Sequence, residues 1–393
     1  MSKLEGEGRR PSRPPCIISL ICIAILFVNL LASCSPGPRQ RKSKREDLFR
    51  LGYGSGAGRL DFSRPESSRF DVVVREGIFY VLDPANRKVL KLSSYGDILK
   101  IFRDREGIAP GLEAPEAMAV DSGQRLYLAD RIADPGAAVY DETAQTSCDR
   151  AIRRIHPGTE EMPALGQEGP GGSPFPPIIS LRALEDDSLA VVSASESHIL
   201  VHRFSNAGDL LSSARFSRTS LPLPESMKQA VQGLKDAGEY YSIHASLDSI
   251  FPRLRDGRFE ILAKIDYYNE PPARSGKSGT DYAGTWVFTA DGDTGRFTGA
   301  LKAAGEEDEA PEFLGSLKGR LYFLYSGKEP DERRIVALDS NGIVQARYSL
   351  ALPPGSRELA VLKPLGGGIL VGAATREEDV AIFWWRLEDE TSS

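Results

Sequence analysis

Few residues of this 393-residue chain have types and spacing that could do chemistry. Ser275-Gly276-Lys277-Ser278 carries the second half of a phosphate-cradling loop. Pro271 stands where the first glycine is needed and no helix follows, so no nucleotide site is expected. Asp291-Gly292-Asp293-Thr294-Gly295 starts like a calcium loop but lacks the downstream glutamate, and between two apolar runs it reads as a hairpin turn. His198 and His202, four apart, share one face of a strand at a separation of about 13 Å, too far for one metal ion. His156 and His244 are isolated, and no His-Glu-x-x-His, paired Cys-x-x-Cys or Gly-x-Ser-x-Gly occurs. The sequence thus assigns no catalytic residue, no metal ligand and no cofactor. A catalytic cluster would have to assemble from segments far apart in the chain.

The one residue with a chemical assignment is Cys34. Lys3, Arg9, Arg10 and Arg13 form a basic leader, Ile17 to Leu31 is an apolar run of 15 residues, and Leu31-Ala32-Ser33-Cys34 follows. The run fits a signal-peptide core and is short for the ~20 residues of a membrane span. Leu-Ala-Ser-Cys resembles the lipobox of bacterial lipoproteins. That resemblance implies cleavage between Ser33 and Cys34, diacylglycerol on the Cys34 thiol, and a lipid-anchored place in the bacterial envelope, with the leaflet open. Cys16 and Cys22 fall in or beside the removed segment, leaving Cys148 as an unpaired thiol in an exported domain that must stand on its core alone.

Residues 34–45 follow as a basic tether: Pro36, Gly37 and Pro38 oppose folding, and five of Arg39–Arg45 are basic. Such a segment beside a lipid either adds attraction to anionic head groups or serves as a solvated linker. The first 45 residues hold nine Lys and Arg against two Glu, so residues 46–393 carry −13 where the whole chain carries −6. An acidic domain of this kind disfavours nucleic acid as a partner.

From residue 46 the chain reads as short β runs and tight turns. Phe70–Phe102 shows four strands with turns at Glu76-Gly77, Asp83–Asn86 and Gly96-Asp97. The same turn-then-apolar-strand unit returns at Gly123, Asp187-Ser188, Asp256-Gly257, Lys318-Gly319 and Gly366–Gly368, six instances in all. A small sheet repeated at a fixed period is the signature of a propeller.

Gly77-Ile78-Phe79-Tyr80-Val81-Leu82-Asp83 with Asn86 and Lys88-Val89 resembles the NHL repeat. So does Ala114–Asp121 leading to Leu126-Tyr127-Leu128-Ala129-Asp130. The resemblance covers roughly residues 48–130 and implies a six-bladed β-propeller, all-β, of four-stranded antiparallel blades. It also implies that Asp83 and Asp130 hydrogen-bond the turns after them, and that Tyr53, Tyr80, Tyr127, Tyr322, Trp384 and Trp385 pack between blades, line the axial channel or sit on a face.

The last unit lacks a fourth strand, and Leu48–Leu51 is expected to supply it and fasten the ring. His156–Pro177 is expected as a long surface loop, Leu221–Gly238 as a short amphipathic helix, and Asn269–Tyr282 as a polar loop. The domains expected are signal peptide 1–33, lipidated tether 34–45 and propeller 46–393. The leading functional expectation is a lipid-anchored binding or scaffold module for an envelope protein, peptide or glycan. A hydrolase or lyase with a metal in the axial channel, and a purely structural subunit, stay open beside it.

Overall fold

Each blade reverses its chain between first and second strands by residues in the left-handed region. Glu76 and Gly77 (φ 51° and 76°), Asp256 and Gly257 (51° and 73°) and Lys318 and Gly319 (48° and 76°) form turns whose twist matches their strands. The computed structural model describes residues 40–63, 69–103, 111–142, 144–156, 161–236, 242–270, 280–303, 309–326, 332–365 and 368–387. The signal segment, Cys34 and the tether up to Arg39 lie outside the described residues.

The described chain opens with β1 (Gln40–Lys42) and β2 (Lys44–Gly52). Blade one is β3 (Asp71–Arg75), β4 (Ile78–Asp83), β5 (Lys88–Leu92) and β6 (Ile98–Phe102). Blade two begins with β7 (Ala117–Val120) and β8 (Leu126–Arg131). A side hairpin of β9 (Val139–Asp141) and β10 (Thr146–Cys148) interrupts it, before β11 (Arg150–Ile155), β12 (Glu161–Gly166) and the edge strand β13 (Gly169–Pro170). Blade three is β14 (Ile178–Ala183), β15 (Leu189–Ala194), β16 (His198–Phe204) and β17 (Leu210–Ser217). Helix α1 (Glu225–Asp236) leads to blade four: β18 (Ser242–Arg255), β19 (Arg258–Glu270), β20 (Asp281–Asp291) and β21 (Phe297–Lys302). Blade five is β22 (Glu312–Leu317), β23 (Arg320–Ser326), β24 (Glu332–Leu338) and β25 (Val344–Ala351). The last blade has three strands from its own stretch, β26 (Glu358–Leu365), β27 (Ile369–Thr375) and β28 (Asp379–Arg386).

The second strands explain the packing. In β4, Phe79 and Val81 join a buried cluster with Val371 and Ile382 of blade six, whereas Tyr80 and Leu82 join one with Met118 and Leu128 of blade two. In β8, Leu126 and Leu128 face blade one while Tyr127 and Ala129 meet Phe175 and Val191 of blade three and the link before it. In β27, Leu370 and Ala374 face blade five, Val371 and Ala373 face blade one. The period of two along a strand sends alternate side chains to opposite neighbours. The described core accordingly falls into clusters each shared by two adjacent blades. No blade owns a core.

Closure follows the expectation from Leu48–Leu51. β2 pairs antiparallel with β28 from Lys44 opposite Arg386 to Gly52 opposite Asp379, completing blade six. Leu51 is 5% exposed in the cluster between blades six and one, and the Phe49 ring stands edge-on to Phe79 at 5.2 Å. Trp384 Nε1 donates to Glu46 at 2.9 Å across the same seam. β1 adds in parallel to the outer edge of blade five, Gln40 opposite Arg347 and Lys42 opposite Ser349, and Arg45 donates to the Ala351 carbonyl at 2.9 Å. The stretch read as tether is therefore strand-paired from Gln40, because unpaired edge groups of β25 and β28 offer its backbone partners whatever its charge.

Three further expectations meet the structure. The helix forms: Pro224 is buried at its start and Met227 packs into the cluster between blades three and four. His156–Pro177 is not a loop throughout, since Glu161–Gly166 forms the outer strand of blade two; the excursion is instead Ile132–Asp149 with its side hairpin. Of Asn269–Tyr282, the ends extend β19 and β20, and residues 271–279 lie outside the described residues.

Removing β1 and β2 opens blade six and exposes the Leu51 and Phe49 contacts. Deletion of residues 40–52 is expected to lower the melting temperature by on the order of 10 °C, read by circular dichroism. An unchanged melting curve would refute the closure.

Candidate functional site: the axial cavity and its rim

The first strands β3, β7, β14, β18, β22 and β26 ring an axial cavity of about 380 Å³. Each runs from an inter-blade link to its tight turn, so Glu312, which opens β22, and Arg75, which closes β3, lie at opposite ends. Most of the wall is aliphatic. Its ionisable side chains among the described residues are Arg75, Arg182, Glu312 and Lys363.

Two of the cations have carboxylate neighbours. Lys363 Nζ pairs with Asp71 of the adjoining inner strand, and Arg75 lies 3.9 Å from Asp187. Arg182 is different. Its guanidinium lies over the Phe251 ring, 4.0 Å from the centroid, and burial pushes it below the ordinary arginine range, with Glu185 opposing the shift. Glu312 faces the cavity, and there burial, helped by Asp248, raises its carboxyl while Lys264 opposes.

Beside Glu312 a charged cluster forms the rim on blade four. Lys264, 2% exposed, donates to Asp266 at 2.6 Å and to Asp248 at 3.0 Å. Thr285 donates to the other Asp266 oxygen and Tyr282 donates to Thr285 Oγ1 at 2.8 Å. Burial raises Asp266 despite these donors, and pushes Tyr282 up to about 12. The long strands β18, β19 and β20 carry this cluster.

The residues singled out by sequence are dispersed. Tyr80, Tyr127, Tyr322 and Trp385 are buried between blades, Tyr53 donates to the Arg376 carbonyl at 3.1 Å, and none of these lines the cavity; Trp384 sits at the closing seam. Asp83 accepts from the Asn86 backbone at 3.2 Å, as the resemblance implies. Asp130 instead accepts from Glu113 and Ala114 in the link before blade two, at 3.1 and 2.7 Å. Its turn is replaced by the Ile132–Asp149 excursion, and the preceding link supplies the free donors. Asp291 accepts from Thr294 in a hairpin turn, with no calcium loop. Cys148 is buried and its thiol is raised by burial.

His202 is 5% exposed, edge-on to Phe175 at 5.3 Å, and burial depresses it to about 4. The Ser197 hydroxyl lies 2.7 Å from His198 Nδ1, a contact of chain neighbours in which no carboxylate is seen orienting the ring among the described residues. No three His, Cys, Asp or Glu side chains converge as a metal-holding group among the described residues. The cavity wall offers Glu312 alone to a cation. This arrangement suits recognition by shape and charge. Arg182, Phe251 and Glu312 were missed by sequence reading; the available signal was a cation inside the apolar run Ile178–Ala183.

No protein-family model matches the chain, and no curated protein does. Solved structures overlap it loosely. A protein of unknown function from Bacteroides caccae shares 12% identity at TM-score 0.37, covering 74% of this chain and 80% of that one. The polysaccharide lyase Uly1 shares 8% at TM-score 0.40, with 90% and 100% covered. A protein from Bacteroides fragilis shares 8% at TM-score 0.43, with 90% and 98% covered. None of these values carries an activity across to this chain.

Two outcomes test the electrostatics. Lys264→Met leaves Asp266 buried without its cation and should cost about 3 kcal/mol by urea melts, partly regained in the Lys264→Met, Asp266→Asn double variant. A neutral effect of the single variant would contradict the pairing. The unfolded chain protonates His202 near pH 6.5 and the folded one only near 4, so acidification between those values favours unfolding. His202→Phe should flatten that part of the stability-versus-pH curve by up to ~3 kcal/mol. An unaltered slope would show that His202 titrates normally.

Proposed function

We propose that this chain is a lipid-anchored envelope propeller that binds a protein, peptide or glycan partner, with its anchor on Cys34. The observation that carries the reading is the closed ring of inner strands around a shaped, charged axial cavity, with recognition groups fixed on rigid strands. Preformed concave sites with an apolar wall and few polar groups are what small-ligand and peptide recognition uses. The resemblance of Leu31–Cys34 to a lipobox supports the anchor.

A metal-dependent hydrolase or lyase would need carboxylates or histidines from several blades at the axis, and the described wall offers only Glu312. The reading as a purely structural subunit differs in having no ligand that displaces another from the cavity. The acidic balance of residues 46–393 supports a partner other than nucleic acid.

Lipid labelling tests the anchor. Wild type should incorporate an alkyne fatty acid and sediment with membranes, whereas Cys34→Ala should be unlabelled and uncleaved. Cys34→Ala that is labelled as wild type would remove the anchor. Saturable binding of the mature protein to isolated envelope fractions, competed by one soluble component of them, tests the module; absence of such competition would favour the structural subunit.

A further inference from the structure

We infer that the axial cavity is a binding site for a small hydroxylated carboxylate, its carboxylate held by the Arg182 guanidinium where that group lies over Phe251. The inference rests on the binding-module reading and names the ligand class of its cavity.

Charge distribution is the first support. Residues 46–393 are strongly acidic, yet cations outnumber carboxylates along the cavity wall by Arg75, Arg182 and Lys363 to Glu312. With Asp71 and Asp187 beside two of them the wall is balanced overall, and the uncompensated positive charge is local to Arg182. Two of those cations have partners in Asp187 and Asp71, whereas Arg182 pairs with no carboxylate among the described residues. Arg182 is half-buried at the wall, and a cation held there without a carboxylate partner is open to an anionic ligand.

The second support is how Arg182 is held. The Phe251 ring lies 4.0 Å from the guanidinium carbon and fixes the plane of the fork, leaving its edge N–H groups for a planar acceptor. The ring has its own seat. Gly315 in β22 has φ +123°, and a Cβ there would lie 2.2 Å from the Phe251 ring, so glycine makes room for it. Phe313 meets the same ring edge-on at 5.8 Å. A bidentate carboxylate matches one fixed fork. Glu312, on the wall, disfavours a dianion such as phosphate and accepts hydrogen bonds from ligand hydroxyls. A cavity of about 380 Å³ sets a small molecule as the occupant.

The test uses the mature full-length protein with sodium acetate, sodium glucuronate and sodium phosphate, each against sodium chloride at equal ionic strength. Glucuronate should raise the melting temperature by several degrees at ~100-fold its Kd, with acetate weaker and phosphate no better than chloride. Arg182→Met should abolish the glucuronate shift while its own ligand-free melting temperature stays close to wild type, since no ion pair is lost. Arg182→Lys keeps the charge without the fork and should weaken glucuronate at least tenfold by calorimetry.

No shift with either carboxylate, a shift that survives Arg182→Met, phosphate acting as strongly, or undiminished binding to Arg182→Lys would each overturn the inference. So would a fall of the ligand-free melting temperature of Arg182→Met by on the order of 10 °C, which would make Arg182 a packing residue. If the carboxylates fail while competed binding to envelope fractions persists, the binding-module reading stands and only the cavity assignment falls.

Discussion

The structure depends on one constraint: each blade has two apolar faces and can bury them only against neighbours. Side chains of β4 divide between blade six and blade two, those of β27 between blade five and blade one. A linear stack under this rule would end in two exposed faces, so the stack must close. Closure requires the first and last blades to be joined, and the chain does it by lending β2 to blade six, where Leu51 and Phe49 complete the cluster shared with blade one. The strand Lys44–Gly52 is therefore part of the core through Phe49 and Leu51, although it begins in the basic stretch.

Buried charge serves the same ring in a second way. Lys88, 1% exposed, donates to the carbonyls of Gly56 and Arg59 at 2.9 and 2.6 Å and lies 3.6 Å from Asp83. Arg153 donates to the Gly111 carbonyl at 2.9 Å and lies 3.5 Å from Asp130. In each of the first two blades an acid at the end of the second strand and a cation on the third strand clamp the link that enters the blade. Irregular links carry unpaired backbone groups, and these side chains satisfy them where water is scarce. Arg182 is placed differently, on the first strand of its blade and beside an aromatic ring.

The repeat was legible because its signals are local. Glycine-containing turns such as Glu76-Gly77 and Lys318-Gly319 precede apolar runs, and the missing fourth strand of the last unit pointed to Leu48–Leu51. The helix at Glu225–Asp236 announced itself by Pro224 and the spacing of Met227 and Val231. The outer strand of blade two was hidden because Pro163 and the glycines 166 and 169 read as loop, while its pairing with Arg150–Ile155 is tertiary information. The cavity was illegible for a related reason. Arg182, Phe251, Glu312 and Lys363 come from four different blades, and only ring closure makes them neighbours of one space.

Native-state hydrogen exchange tests the central claim, that closure by β2 holds the ring together as one unit. The account predicts that the β2 amides paired with β28 exchange with the same free energy as the β4 and β27 amides in the cores on either side of the seam, because the strand opens only when the ring does. Exchange of β2 at a much lower free energy, while β4 and β27 keep full protection, would show that the ring stays closed without it and would contradict the account.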